Sequence, residues 1–230
     1  MINNKKILAV ITARAGSKRL PNKNILDLFG KPLIAWSIDA AKESKYLDKI
    51  IVSTDSDIIK DISINQGAEI PFLRPKTLAS DTADSISVLK HAIEFYDKEF
   101  EYIVLLQPTS PLRTVDDIDK AIELLDANTK AIVSVCKTEH SPLWSNTLPS
   151  DYSMKNFIKK EMRNIRSQDL PPYYRLNGAL YIANINYLYK NNGFLGEQTK
   201  AYIMSIENSI DIDTELDFLM VETILKRKIV

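Results

Sequence analysis

Short β-branched apolar runs alternate along the chain with stretches whose apolar residues recur every three or four positions. "KILAVIT" (6–12) reads as a buried strand. "KPLIAWSIDAAKES" then sets Pro32 at a helix start and Ile34, Ile38 and Ala41 on one face. "KIIVSTD" (49–55) is a second strand, and "SDIIKDISINQG" a helix with Ile58, Ile59 and Ile62 inward and Gly67 as its stop. "SDTADSISVLKHAIEFY" spaces Ile86, Leu89, Ile93 and Tyr96 at helical intervals, and "YIVLLQP" (102–108) is a third strand. In "TVDDIDKAIELL", Thr114 and Asp117 form a capping box ahead of Val115, Ile118, Ile122 and Leu125. "AIVSVC" (131–136), "NGALYIAN" (177–184) and "AYIMSI" (201–206) are further strands, and a last helix, capped by Thr214 with Asp217, ends the chain.

Strands and helices in this alternation predict an α/β fold: a Rossmann-like, mostly parallel sheet with helices on both faces. Such a sheet binds ligands beyond the carboxyl ends of its strands. From residue 138 to 176 the periodicity fades into Pro, Tyr and charge, so that stretch is expected as an arm inserted in a single domain spanning 1–230. The 230 residues, 45% hydrophobic and 26% charged, suit one such domain with a real core.

Thirty basic residues balance thirty acidic ones, so a nucleic-acid coat or a membrane-surface binder is disfavoured and any electrostatic function must be local. Cys136 stands alone in an apolar run and reads as a small hydrophobe. The N-terminal apolar run is too short for a signal peptide, and no run reaches membrane-spanning length; the expectation is a cytoplasmic protein.

The local charge is in "ITARAGSKRLPNKN" (11–24), which carries Arg14, Lys18, Arg19 and Lys23 before the first acid of the chain, Asp27. A loop after the first strand of such a sheet aims backbone amides into the crevice. Gly16 allows close approach, Ser17 adds a hydroxyl, and Pro21 stiffens the turn. This is equipment for a triphosphate, although neither a Walker A loop nor a G-x-G-x-x-G motif is present. The plainer alternative is a solvated basic loop; the position after strand one favours binding.

In "SIDIDTELDF", Asp211 and Asp213 alternate with apolar residues, so in an extended segment both carboxylates point one way. Paired carboxylates facing a triphosphate loop suit a hydrated Mg²⁺. Helix capping accounts for Asp213 or Thr214 but not for Asp211. In "LLQPTSPLR", Gln107 ends a strand with Pro108 fixing it at the ligand edge, though a polar turn before a helix is a common feature.

"RAGSKRLPNKN", "STDS", "RPKTLASDTADS", "LLQPTSPLR", "RLNGALYI" and "SIDIDTELD" stand in the order found in the acylneuraminate cytidylyltransferases, the CMP-sialic acid synthetases and their bacterial relatives, and the chain resembles that family from about residue 6 to 220. It is more distantly similar to the CMP-Kdo synthetases, which typically have Pro where this chain has Asn24. The bacterial legionaminic-type relatives look nearer than the animal enzymes. The resemblance implies a nucleotide-diphospho-sugar transferase type of fold, with a small dimerisation arm. It implies that CTP and a nine-carbon 2-keto sugar acid (a nonulosonic acid) give CMP-sugar and pyrophosphate, with Mg²⁺, by attack of the anomeric C2 hydroxyl on the α-phosphorus.

The resemblance also assigns roles. Arg14 and Lys23 would hold the triphosphate with the amides of Ala15, Gly16 and Ser17. Asn24, Arg74 and Ser80 would contact the nucleotide, and Gln107 the sugar acid. Asp211 and Asp213 would bind Mg²⁺, and Asp211 is also a candidate proton acceptor. Arg166, Arg175 and Asn177 would serve the sugar. The arm would cross to the partner subunit of a homodimer, so Arg166 or Arg175 could act in the neighbour's site. His91 and His140 lie outside the motifs and read as structural or surface residues. The rival readings are CMP-Kdo synthesis or another sugar nucleotidyl transfer on the same fold, and a non-catalytic nucleotide-binding module.

Overall fold

The structure, a computed structural model, describes residues 1–2, 4–80, 82–97 and 99–229. Asp81, within the "RPKTLASDTADS" motif, lies outside the described residues. In chain order the main elements are β1 (Ile7–Thr12), β2 (Asp27–Leu28), β3 (Lys31–Pro32), α1 (Leu33–Lys42), β4 (Lys49–Ser53), α2 (Asp57–Asn65), α3 (Ser85–Phe95), β5 (Tyr102–Leu106), α4 (Val115–Ile122), β6 (Ala131–Lys137), β7 (Tyr174–Asn184), α5 (Ile185–Asn191), β8 (Thr199–Met204) and α6 (Glu215–Ile229).

Six strands form one sheet in the order β4-β1-β5-β7-β6-β8, and β2 with β3 makes a separate two-residue ribbon. β1 pairs in parallel with β4 and β5, and β6 with β8. β7 runs antiparallel between β5 and β6 and joins the two parallel groups. The carboxyl ends of all five parallel strands therefore share one edge, and the start of β7 lies at that edge too. The sheet is mostly parallel, as its apolar runs predict.

Alternation along β1 divides the core. Ile7, Ala9 and Ile11 pack on one face with Ile34, Ile38, Ile59 and Ile118 from α1, α2 and α4. Leu8 and Val10 pack on the other with Leu89 and Ile93 from α3 and Leu188 from α5. A third cluster seats α6, through Val221 and Leu225, on Leu28, Leu33, Leu112 and Ile212.

Three expectations are corrected. Ile58 is exposed, while Ile59 and Ile62 face the core as read, because neighbours on a helix stand about 100° apart and the third position cannot share their face. α5, unread in the sequence, follows β7 directly, with the Asn184 side chain accepting from the Tyr187 amide as its cap. β7 opens at Tyr174, so residues 174–176, expected in the arm, belong to the sheet. The excursion is pinched at its base by the Thr138 amide donating to the Tyr173 carbonyl at 2.9 Å, and beyond it runs through short 3-10 turns. Gly67 ends α2 as read, in the left-handed conformation at φ +86° that glycine adopts at little cost. No helix among the described residues is long and apolar enough to cross a membrane.

Candidate nucleotide site

Two adjoining cavities open at the shared edge. The first, about 400 Å³, is lined by Arg14, Ser17, Arg19, Lys23 and Asn24 of the loop after β1, by Gln107 and Thr109 after β5, and by Asp213. The second, about 250 Å³, is lined by Arg74, Leu78, Ser80 and Val88. Thr12 and Arg14 belong to both. The sequence-named residues thus divide: Arg14, Ser17, Lys23, Asn24, Gln107 and Asp213 line the first cavity, and Arg74 and Ser80 the second.

The basic loop, although largely exposed, is anchored by its own hydrogen bonds. Asn24 is buried, and its Nδ2 donates to the Arg14 carbonyl at 3.0 Å, which closes the loop on itself. The Ala15 amide donates to Asp55 Oδ1 at 3.1 Å and the Ser17 amide to the Ala15 carbonyl at 3.0 Å. Two of the three amides read as anion donors are therefore engaged within the protein. Gly16 faces open space, where a Cβ would meet nothing within 4 Å.

Lys23 is drawn under the loop, 11% exposed, and its Nζ donates to the Ile212 carbonyl at 2.5 Å and to Asp213 Oδ1 at 3.0 Å. Arg19 Nη1 reaches the other oxygen, Oδ2, at 2.7 Å. One carboxylate thus bridges two cations of the cradle. Arg19 is mostly exposed, so its half of the bridge is screened by solvent and the Lys23 half is the firmer one.

Asp211 sits apart from this bridge. The Thr109 carbonyl accepts from the Ile212 amide at 2.8 Å, and that bond brings the segment before α6 against the end of β5. Ile212 turns inward and is fully buried, as the alternation predicts. Burial pushes the Asp211 carboxyl above its ordinary range, with Asp213 and Asp217 adding to the rise; a hydrogen bond from Thr109 and the field of Lys23 oppose it. Its Oδ1 is buried with no hydrogen-bond partner.

An orphaned, desolvated carboxylate oxygen two residues from a second carboxylate fits a hard divalent cation. Among the described residues no group of three or more His, Cys, Asp or Glu could hold a metal unaided. Mg²⁺ asks for less: one or two carboxylates, with phosphate oxygens and water completing its shell.

Arg74 is 6% exposed and donates to the Ser53 carbonyl and, at 3.2 Å, to Ser53 Oγ at the end of β4. Burial lowers its pKa to about 10; Asp55 opposes that shift and the neighbouring charge of Arg14 adds to it. Ser80 Oγ, at the exposed rim, bonds the Thr77 carbonyl.

The remaining candidates stand further off. Asn177 is buried, and its side chain is consumed by Ser134, Met204 and Ser209, so it holds β6, β7 and the segment after β8 together and does not line the cavity. Arg175 Nη2 pairs with Glu139 at 3.2 Å across the base of the excursion. Arg166 is exposed within the excursion and lines neither cavity of its own chain. His91 packs edge-on against Phe72, centroids 4.5 Å apart, in keeping with a structural role.

The sequence reading missed Asp55 and Thr109 as members of the site. Both lie inside motifs it quoted, but nothing in a linear pattern marks a carboxylate that will cap a loop amide.

A family model described as "Cytidylyltransferase" matches residues 8–220. The chain is 42% identical to the CMP-N,N'-diacetyllegionaminic acid synthase of Legionella pneumophila, over 96% of this chain and 97% of that one. It is 39% identical to the N-acylneuraminate cytidylyltransferase of Escherichia coli over 97% of its own length, and spans 53% of that longer relative. Among solved structures, a CMP:2-keto-3-deoxy-manno-octonic acid synthetase complexed with CTP superposes with a TM-score of 0.72 over 97% of this chain and 99% of the other, at 16% identity, which is a likeness of fold alone. With the fold and the end-to-end identity agreeing, the chain belongs to the cytidylyltransferase family.

Proposed function

We propose that this protein transfers the cytidylyl group of CTP to a nonulosonic acid of the legionaminic or sialic type, giving the CMP-sugar and pyrophosphate. The observation that carries the reading is the convergence of the basic loop, Gln107 and Asp213 on one strand-end cavity next to a smaller one that shares Arg14 with it. The names of the relatives support the choice of acceptor.

In this reading the triphosphate lies along Arg14 and Lys23. Arg74 and Ser80 meet the cytidine, and Gln107 meets the sugar acid. The C2 hydroxyl attacks the α-phosphorus, with Asp211 the candidate acceptor of its proton, and pyrophosphate leaves in line. Charge then builds on the leaving pyrophosphate, and Lys23 and Arg14 beside it stabilise that charge in the transition state. A triphosphate must compete with Asp213 for Lys23 and Arg19, and the displaced carboxylate becomes free to meet a cation. Asp211 and Asp213 would hold Mg²⁺, which when bound supplies neutralising charge between the phosphates and the protein's acids.

The excursion between β6 and β7 is taken, with the rest of 1–230, as one domain whose arm reaches a second copy in a homodimer. The exposure of Arg166, away from its own chain's cavities, supports its service in a neighbour's site. A CTP requirement supports a cytoplasmic setting.

The test is pyrophosphate release from CTP and Mg²⁺ against N-acetylneuraminic acid, N,N'-diacetyllegionaminic acid, pseudaminic acid and Kdo. Release with a nine-carbon acid but not with Kdo, abolished by EDTA and restored by Mg²⁺, is the expected result. Release with Kdo alone would overturn the choice of acceptor. Silence across the panel from a protein that still binds CTP would favour the non-catalytic reading.

A further inference from the structure

Arg113, between β5 and α4, is 2% exposed, yet its guanidinium meets no carboxylate at bonding distance among the described residues. Nη1 donates to the Gln107 carbonyl at 3.2 Å and to the Ala179 carbonyl at 2.9 Å, and Nη2 donates to Ser37 Oγ of α1 at 2.8 Å. Ser37 Oγ in turn donates to the same Gln107 carbonyl at 3.3 Å. Nε has no partner. Burial lowers the pKa of the group to about 10, with the field of Asp117 opposing. A charge buried against neutral acceptors is unfavourable unless its bonds accomplish something else.

What the bonds join is informative. The Gln107 carbonyl belongs to the residue whose side chain faces the first cavity. Ala179 follows Gly178, which sits at φ +76° and leaves the room the Gln107 carboxamide occupies: a Cβ there would lie 3.2 Å from Gln107 Oε1. Arg113 therefore fixes both walls of the slot, the backbone that carries the carboxamide and the strand it rests against. Lysine could not bond two carbonyls on two strands and a hydroxyl on a helix in the same plane.

We propose that Arg113 is a positioning residue for the sugar acid: it holds the Gln107 carboxamide at the angle the acceptor site requires, by tying the end of β5 to β7 and α1. The proposal rests on the reading that Gln107 meets the acceptor.

The test compares wild type, Arg113→Lys, Ser37→Ala, Gln107→Ala and the Arg113→Lys/Gln107→Ala double variant. Arg113→Lys is expected to raise the acceptor KM about tenfold while the Kd for CTP stays within about twofold. Ser37→Ala, which removes one acceptor and should leave folding intact, is expected to move the KM the same way by less. In the Gln107→Ala background, Arg113→Lys is expected to add no further loss, because the two act as one unit. A full additional loss in that background, or an equal loss of CTP affinity, would overturn the proposal. A second readout needs no turnover: the ¹⁵N side-chain amide signals of Gln107 in the free protein, identified by their loss in Gln107→Ala. Displaced and broadened signals in Arg113→Lys or Ser37→Ala uphold the proposal, and unmoved signals overturn it. If no panel acid reacts with the wild type, the functional reading falls while the spectra still decide the role of Arg113.

Discussion

Two aspartates two residues apart meet opposite fates. Asp213 spreads its charge over Lys23 and Arg19, while Asp211 is desolvated with one oxygen unpartnered. Their sequence context is nearly the same; what separates them is Thr109 and the depth to which Ile212 is pulled. Asp126 shows a third outcome, exposed and structurally useful. Its Oδ1 accepts from the amides of Asn128 at 2.7 Å and Thr129 at 2.6 Å, and Lys200 approaches Oδ2 at 3.3 Å. These bonds favour the ionised form and hold the carboxyl down at about 2. Because the folded pKa lies below the unfolded value of 3.8, the contribution is complete above the unfolded pKa and fades as pH falls toward 2. Asp126→Asn should therefore melt lower than wild type at pH 7, and the gap should close in melts taken between pH 4 and 2. The chemistry of such residues is legible in a sequence, since the basic loop and the acid pair name themselves. Their occupancy is not: the Ala15 and Ser17 amides, plausible donors on paper, are already bonded within the protein.

At the scale of elements, end signals read more truly than faces. The Thr114/Asp117 capping box is present in full, with the Thr114 side chain accepting from the Asp117 amide and the Asp117 side chain accepting from the Thr114 amide. Thr114→Ala should cost about 1 kcal/mol, a fall in Tm of roughly 2–4 °C for a domain of this size. Asp117 does more, since it also accepts from the Tyr202 hydroxyl and from Asn208 Nδ2, both at 3.2 Å. Asp117→Ala would leave those donors without their partner and should lower the Tm by clearly more than the Thr114 change in the same scanning experiment. Ile58 shows the weaker signal: the four isoleucines of α2 offer two faces, and the core covers Ile59 and Ile62 while Ile58 and Ile64 stay exposed. The helix after β7 left no trace because seven residues hold barely two turns, too few for a period to stand out.

For the whole molecule, the alternation of strand and helix was enough to predict the sheet and the edge where its cavities open. It was not enough to place β7, whose apolar run looks like any other and whose direction depends on pairing partners far away in the chain. The dependence matters during synthesis on the ribosome. β5 can join β1 as soon as it emerges, but its other edge is filled by Leu180 to Asn184. At ~5–20 residues per second the growing chain carries that open apolar edge for roughly ten seconds. An unpaired edge of this kind is a template for a neighbouring chain. A fragment ending at residue 137 should pellet from a cell-free translation, while one ending at 204 should stay in the supernatant; a monomeric, soluble 1–137 would show that the first half guards its own edge. The strand that completes the sheet is thus also the one that ends the chain's exposure to its neighbours on the polysome.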